Sequence, residues 1–483
     1  MSTPDSAPNA IPAPIHQSPH QCAPQPAHQS AHHLAAAQLA LALSTLLASL
    51  GISIANVGLP ALAQAFAASF QAVQWVVLAY LLAITSLIVG VGRLGDLLGR
   101  RKLLLIGLLL FSLASLAGGM ASNLALLIAA RFVQGLGAAM MMALSMALIG
   151  ETLGSTKAGR AMGLLGSMSA VGTALGPSLG GVLIDALGWR AIFLLTAPLG
   201  MLALLLAWRY LPAAPPSEKL ATSRFDYTGT LLLAATLAAY ALAMTQGQFG
   251  RSNLGWLTLA AAGLALLVWQ QKRSAAPLIQ LALFRQHALA ASLIMNGIVA
   301  ALVMTLLVVG PFYLAQAFGL NVRQTGLVLA IGPAVAALCG VPAGYVVDHL
   351  GAAKITRLAL LGLFGGTLAL SLMPLHWGLA GYIAPVVLIT ASYAFFMVGN
   401  NTATLANIPA TQRGLISGLL NLSRNLGLIS GASLMAAVFA WASQQASHTS
   451  AQTAASGMHT TFQLATALVA IALVIAFRMR GRD

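Results

Sequence analysis

The sequence predicts an all-α integral membrane protein: fourteen transmembrane helices laid out as two related groups of six, with a spare pair between them. Three observations carry that prediction. Only 6% of the 483 residues are charged and 59% are hydrophobic, whereas soluble domains carry about 25% charged residues. The apolar residues are gathered in runs of roughly 20, the length an α-helix needs to cross about 30 Å of hydrocarbon. And a polar segment after the second run returns after the tenth. Strands of a membrane barrel would alternate in hydrophobicity and carry a polar lumen face; these runs do not alternate.

The fourteen runs are placed at 36–58, 73–93, 103–121, 124–149, 158–183, 190–210, 227–247, 254–271, 288–315, 324–347, 355–374, 379–405, 413–442 and 460–479. The longest of them fit tilted or kinked helices. Ahead of them, residues 1–35 are rich in Pro, Gln, Ser and His and hold no Lys or Arg, so no signal-peptide n-region is present. That stretch reads as a disordered cytoplasmic tail, although His16, His20, His28, His32 and His33 would also suit a metal-binding tail.

An even number of spans puts both termini on one side. Of the 23 Lys and Arg, eighteen lie in the carboxyl tail and the even-to-odd connections with the span ends beside them. Three (Arg190, Arg251, Arg323) lie on the opposite side, and two (Arg131, Arg424) fall inside spans. By the positive-inside rule both termini are expected in the cytoplasm, in a multi-pass protein of the cell inner membrane. The net charge of +15 is thus spread one loop at a time. It does not form the basic stripe that tracks phosphates, and no nucleic-acid partner is expected.

Two longer polar connections divide the chain. Leu211–Asp226 contains Pro212, Pro215, Pro216 and Ser217; the other runs from Gln271 to Gln286. The expected organisation is therefore a six-helix bundle over 36–210, linkers with two extra transmembrane helices over 211–286, and a second six-helix bundle over 287–483. The two bundles look like copies. Gly92, Asp96, Gly99 and Lys102 return at an offset of 252 as Gly344, Asp348, Gly351 and Lys354. A looser echo pairs Arg160 and Gly163 with Arg413 and Gly418, at offsets of 253 and 255. Parallel six-helix repeats are how one large class of secondary transporters is built.

The Gly92-Arg-Leu-Gly-Asp96-Leu-Leu-Gly99-Arg100-Arg101-Lys102 segment resembles the loop signature of the major facilitator superfamily. The resemblance implies the major facilitator fold and a gate at this loop whose contacts change between inward-open and outward-open states. Physically, Asp96 can accept backbone N–H bonds at a helix start or pair with arginine, and glycine lets the chain turn tightly. Arg131, in Arg131-Phe-Val-Gln134-Gly-Leu-Gly, resembles the family's span-four arginine, implicated in proton coupling. A charge inside a span costs about 2.5–3.5 kcal/mol on insertion scales, which points to function; the alternative is an arginine that snorkels to the membrane surface. Gly172, Gly176, Pro177, Gly180 and Gly181 in span five resemble the signature that separates the family's exporters from its importers. Small residues four apart also allow close helix packing by themselves. Gly188-Trp189-Arg190 with Phe193, and Pro277-Leu-Ile-Gln-Leu-Ala-Leu-Phe284-Arg285, resemble segments of the fourteen-helix drug:proton antiporter branch.

One departure stands out. Where that branch carries an aspartate in span one, this chain has Gly51, in Leu50-Gly51-Ile52-Ser53-Ile54-Ala55-Asn56. None of the eight acidic residues falls at mid-membrane in the spans above. If protons are the coupling ion, the candidates that remain are Asp96, Arg131, Asp226 or cavity waters. Polar residues inside spans nominate the substrate cavity: Asn56, Tyr80 and Gln134 in the first half; Asn296, Tyr393, Asn400, Asn401, Asn421, Arg424 and Asn425 in the second. Met140–Met142 with Met146, and Phe395-Phe396-Met397, would suit amphipathic aromatic ligands, though helix packing is the commoner role of such stripes. Arg424 could pair with an anionic group, and a cavity without an inner carboxylate has little to attract cations.

Together these readings imply a secondary-active exporter of drugs or other small organic molecules, working by proton antiport and alternating access. It is expected to act as a monomer without cofactor or metal. An importer or uniporter of a small solute is the alternative within the fold; a membrane sensor that transports nothing is the alternative outside it. Catalysis is not expected: there is no nucleophile–base pairing, no P-loop and no His/Asp/Glu cluster at the spans. Cys22 and Cys339 offer neither a disulfide framework nor zinc spacing.

Overall fold

A computed structural model describes residues 31–153, 158–212, 226–245, 251–274, 286–406, 410–445 and 450–479. The amino-terminal tail up to residue 30, most of both polar linkers and the Pro277–Arg285 segment lie outside these ranges. The described residues form helices and short connections, with no strand among them. In chain order the helices are α1 (Ala31–Val57), α2 (Leu59–Ala65), α3 (Phe70–Leu98), α4 (Arg100–Gly119), α5 (Leu124–Leu153), α6 (Ala158–Leu187), α7 (Ala191–Tyr210), α8 (Tyr227–Thr245), α9 (Arg251–Arg273), α10 (His287–Phe318), α11 (Val322–Leu350), α12 (Ala352–Leu372), α13 (Gly378–Ala406), α14 (Ala410–Ser430), α15 (Ala436–Gln445) and α16 (Ser450–Arg478).

Twelve of the helical segments are long and apolar enough to cross a membrane, and Val171–Leu187 of α6 and Tyr227–Ala243 of α8 are shorter apolar helices. Together these correspond to the fourteen runs. Two details depart from uninterrupted spans. The first run ends at Gly58, and α2 restarts with Pro60 in its first turn, where the missing N–H costs nothing. The thirteenth run is broken by a π-helical turn, Gly431–Met435, that separates α14 from α15.

The packing follows the repeat. One bundle is built from α1 and α3–α7: α1 lies against α6, α5 against α3 and α4, and α4 against α7. The second repeats the plan, with α10 against α14 and α16, and α13 against α11 and α12. Helices α8 and α9 pack on each other and lean on α3 and the π-helical turn.

The closest crossings are set by glycine. A Cβ on Gly172 would run into the Leu46 carbonyl oxygen, and one on Gly176 into the Ser53 hydroxyl; one on Gly180 would sit 2.8 Å from Val57 Cγ1. These three glycines recur at every fourth position, so they share the face of α6 that buries itself in α1. Gly427 and Gly431, at the spacing of Gly172 and Gly176, pack in the same way on the Gly297 and Ala301 carbonyls of α10. The loop repeat matches too. Single glycines join α3 to α4 and α11 to α12, Gly99 at φ 91° and Gly351 at φ 86°. An L side chain adopts that backbone only under strain.

Between the bundles α6 packs on α11 and α3 on α14, and among the described residues several side-chain contacts lie where α3 and α11 begin. Gly181 and the Pro177 carbonyl of α6 meet Gly326 of α11. Phe70 of α3 stacks edge-on against Phe312 of α10, 4.4 Å between centroids, and against Phe439 of α15 at 6.4 Å. Gln74 Nε2 of α3 donates to the Ala432 carbonyl inside the π-helical turn at 2.9 Å.

The tightest of these crossings makes the first prediction. Gly176→Ala leaves Ser53 no room and should lower the detergent-solubilised melting temperature by several degrees, an overpacking cost of about 1–3 kcal/mol. Gly255→Ala, where a Cβ meets nothing within 4 Å, should leave it unchanged; equal melting temperatures for both variants would remove glycine packing as the determinant of the α1–α6 crossing.

Candidate functional site

The first bundle encloses one polar centre, and Arg131 of α5 forms it. The side chain is 1% exposed, and its donors are spent on the protein. Nε donates to the Val76 carbonyl of α3 at 2.9 Å, and one terminal NH2 to the Gly51 carbonyl of α1 at 2.8 Å. The other terminal NH2 donates to Gln134 Oε1 at 2.5 Å. The guanidinium carbon lies 4.1 Å from the Tyr80 ring centroid and 5.9 Å from that of Phe193. Gln134 Nε2 passes the chain of bonds to Ser115 Oγ at 2.7 Å, and Ser115 ends it on the Phe111 carbonyl. Five helices are pinned to one cation.

Removing a guanidinium from water is expensive, and a carboxylate is the usual partner that offsets it. No Asp or Glu touches Arg131 among the described residues. Two π faces and three neutral oxygens take the place of one, which satisfies the donors but leaves the charge unneutralised. The reason is visible at Gly51. A Cβ there would lie 2.6 Å from the Tyr80 hydroxyl oxygen and 3.0 Å from its ring carbon Cζ. Tyr80 Oη itself donates to the Ala48 carbonyl at 2.8 Å. The phenol fills the volume that a span-one carboxylate would need.

Of the residues nominated from sequence, this centre therefore joins Tyr80, Arg131 and Gln134. Asn56 is buried nearby on α1; its Nδ2 donates to the Ile52 carbonyl at 2.9 Å and its Oδ1 has no partner. Residues that sequence reading did not single out complete the centre: Ser115, Phe193 and the carbonyls of Gly51 and Val76. Of the aromatic and sulfur stripes, Met141 and Phe396 are buried in the core, while Met146 is exposed.

The second bundle holds a more open polar region where α10, α13 and α14 meet. Ser292 Oγ on α10 donates to Asn400 Oδ1 of α13 at 3.0 Å and lies 2.5 Å from Thr404 Oγ1. Asn296 Nδ2 donates to the Leu420 carbonyl of α14 at 2.8 Å, and its Oδ1 is buried without a partner. Asn425 is buried; Tyr393, Asn401, Asn421 and Arg424 are half-buried. Arg424 Nε is enclosed with no acceptor.

The gating-loop candidates end up at helix junctions. Gly92 and Gly344 lie within α3 and α11 with open space around the Cβ position, so the turning falls to Gly99 and Gly351. The Asp96 side chain lies outside the described set, and Asp348 is exposed. Arg101 ties α4 to α7 through a 2.5 Å bond to the Trp208 carbonyl; Arg100 sits beside it in the first turn of α4. Asp226 stands apart from Arg131. It caps α8 through the Gly229 N–H at 2.8 Å and receives the Gln270 and Gln271 amides of α9 at 2.9 and 2.7 Å, which binds the spare helices to each other. At the start of α7, Arg190 lies 4.3 Å over the Trp189 ring and donates to the Ala121 carbonyl at 3.2 Å, and Trp189 rests on Phe66 of α2. No group of three His, Cys, Asp or Glu able to hold a metal occurs among the described residues.

Comparison with known proteins places this architecture. The family model described as Major Facilitator Superfamily matches residues 41–432. The multidrug resistance protein Stp of Mycobacterium tuberculosis is 32% identical over 392 residues, 80% of this chain and 72% of Stp. The riboflavin transporter RibZ of Clostridioides difficile is 28% identical over 448 residues, 92% of this chain and 97% of RibZ. Among solved structures, a bacterial homolog of the human lysosomal transporter Spinster, captured inward-facing and unoccupied, superposes with a TM-score of 0.65 at 16% identity, covering 93% of this chain and 97% of that one.

The exchange at Gly51 is testable. Gly51→Asp alone should clash with Tyr80 and lower the melting temperature. Gly51→Asp with Tyr80→Ala should recover it, because the carboxylate then reaches Arg131, with a coupling energy of about 0.5–3 kcal/mol in a double-mutant cycle. Additive losses would show that Tyr80 does not occupy the acid's place.

Proposed function

Since the chain belongs to the major facilitator superfamily, we propose that it exports drugs or other small organic molecules from the cell by proton-coupled alternating access. The observation that carries this reading is the placement of the inter-bundle contacts. Among the described residues, side-chain contacts join the bundles at the end of Phe70, Gly181 and Gly326, and the repeated loops at Gly99 and Gly351 stand at the opposite ends of the same helices α3 and α11.

With the Lys and Arg bias setting orientation, the closed end faces outward and the loops face the cytoplasm of an inner-membrane protein whose termini are both cytoplasmic. That arrangement supports reading the structure as the state that admits substrate from inside. Rocking the bundles would part the Phe70–Phe312–Phe439 cluster and the Gln74–Ala432 bond and would bring the loop ends together. Apolar and single hydrogen-bond contacts suit that task, because each costs little to break and none strands a charge.

Export rather than import is supported by the glycine face of α6 and by the name of the Stp relative. Proton coupling cannot run through a span-one carboxylate, because Gly51 has none. Asp96 and Arg131 are the groups that remain beside the moving parts, and Asp226 is already committed to α8 and α9. The protein is taken to act as a monomer, each chain holding both bundles.

Cells expressing the chain should tolerate several-fold higher concentrations of at least one amphipathic aromatic compound than cells lacking it, and an uncoupler should erase the difference. Asp96→Asn should bring tolerance back to the control level with the protein still folded and inserted. Increased intracellular accumulation of the compounds would instead establish an importer.

A further inference from the structure

The two arginines inside the spans differ in one respect that matters. Arg131 is closed in and its donors are used. Arg424, on α14, has no hydrogen bond, ion pair or ring contact to any described residue, and its Nε is buried with no acceptor. A buried donor without a partner costs about 1–3 kcal/mol, more when the group is charged, and the half-buried side chain leaves its terminal nitrogens open to an acceptor.

The position of Arg424 on its helix says where such an acceptor binds. Leu420, Ser423, Gly427 and Gly431 form the face of α14 that meets α10: Asn296 bonds the Leu420 carbonyl, Ser423 Oγ bonds the Leu293 carbonyl, and the two glycines pack on Gly297 and Ala301. Further round the helix, Ala432 is bound by Gln74 of α3 in the opposite bundle. At about 100° per residue, Arg424 falls between these two faces. It is turned toward the seam between the bundles, not toward lipid. Beside it, where α14 crosses α10, Asn296 Oδ1 is a buried acceptor that also lacks a partner.

An arginine without an acceptor at Nε on α14, and an amide oxygen without a donor on α10 whose amide nitrogen bonds α14 one turn before that arginine, describe a ligand. The cation takes a carboxylate or similar oxyanion through two parallel N–H bonds. The amide oxygen takes a hydroxyl or N–H that the ligand carries next to the anion. No carboxylate among the described residues lies in the bundle interiors to compete for the arginine or to draw a cationic compound in. We propose that Arg424, with Asn296, is the anion-recognising subsite of the transport cavity, and that the preferred substrates are aromatic or aliphatic carboxylates and zwitterions. This inference rests on the export reading and refines it.

The test uses everted vesicles holding the full chain, energised by respiration, with two probes: fluorescein, an aromatic carboxylate, and ethidium, an aromatic cation. The wild type should accumulate fluorescein. Arg424→Gln should raise its half-saturating concentration about ten- to a hundredfold, Arg424→Lys should restore much of the loss, and any ethidium transport should be unchanged. Ethidium uptake without fluorescein uptake, or equal loss of both probes in Arg424→Gln at normal protein levels, would overturn the anion subsite while leaving export intact. Uptake of neither probe by the wild type would overturn the export reading and the subsite with it. Asn296→Ala serves as a second variant, read with a matched pair of carboxylates: it should weaken transport of mandelate, whose hydroxyl lies beside its carboxylate, and leave phenylacetate, which has no such donor, unaffected; equal effects on the two would remove Asn296 from the subsite.

Discussion

One guanidinium, sealed in hydrocarbon without a counter-ion, organises the first bundle. The fold cannot let Arg131 snorkel, because Nε and one terminal NH2 are anchored to carbonyls of other helices, the other terminal NH2 is held by Gln134, and the guanidinium is capped by Tyr80. Those partners come from separate elements: α1 supplies Gly51, α3 supplies Val76 and Tyr80, α4 supplies Ser115 by way of Gln134, and α7 supplies Phe193. Moving any one helix relative to the others would unsatisfy a charged donor in a low-dielectric interior, which is far costlier than losing an apolar contact. The bundle is therefore expected to move as one body.

The second structural constraint is steric. Four glycines, Gly172 and Gly176 on α6 and Gly427 and Gly431 on α14, let the backbones of two helix pairs approach until a single methyl would collide. In lipid there is no hydrophobic drive between helices, so van der Waals packing of this kind supplies the association. The same crossing occurs once in each half, α6 on α1 and α14 on α10, with the paired glycines at matching places in the two repeats. Gly181 and Pro177 use the adjacent face of α6 for a different purpose, meeting Gly326 across the seam. One helix thus carries an interface within its own bundle and one with the opposite bundle side by side, separated by a rotation of a single position.

What the sequence disclosed, and what it withheld, divides along physical lines. Helix number and order were legible because a bilayer dictates the length and polarity of anything that crosses it. The duplication was legible at Gly99 and Gly351, where only glycine accepts a positive φ, so the loop signature had to be kept. The Gly163–Gly418 echo carried the register that the packing glycines share, but without the partner helix there was no way to know which offset counted. The centre around Arg131 was half visible. The charge announced itself, and Gln134 and Tyr80 with it; Ser115, Phe193 and the main-chain oxygens of Gly51 and Val76 could not, since they have no compositional signature. Gly51 looked like a loss of function on the page. In three dimensions it is one side of an exchange whose other side, Tyr80, sits on the neighbouring α3. The π-helical turn was equally hidden, because Gly-Ala-Ser-Leu-Met has nothing in it that forbids an α-helix.

The contrast between the halves has a mechanical meaning. In the first half each nitrogen of the buried arginine has an acceptor, although Asn56 Oδ1 nearby has no partner, and the helix crossings are tied to that cation. In the second, Asn296 Oδ1 and Arg424 Nε are left over, and α14 is interrupted by a turn whose Ala432 carbonyl is borrowed by Gln74 from the opposite bundle. A π turn frees backbone groups that an α-helix would consume, and such turns recur where helices must bind or bend. On the proposed reading recognition and closure would meet on the same helix: Arg424 lies two turns before the Ala432 carbonyl that Gln74 bonds. A ligand that pulled on Arg424 would load α14 directly, and the rigid first bundle, through Gln74, would feel it. That route needs no signal through a packed core, only one helix with a soft joint between its binding residue and its latch.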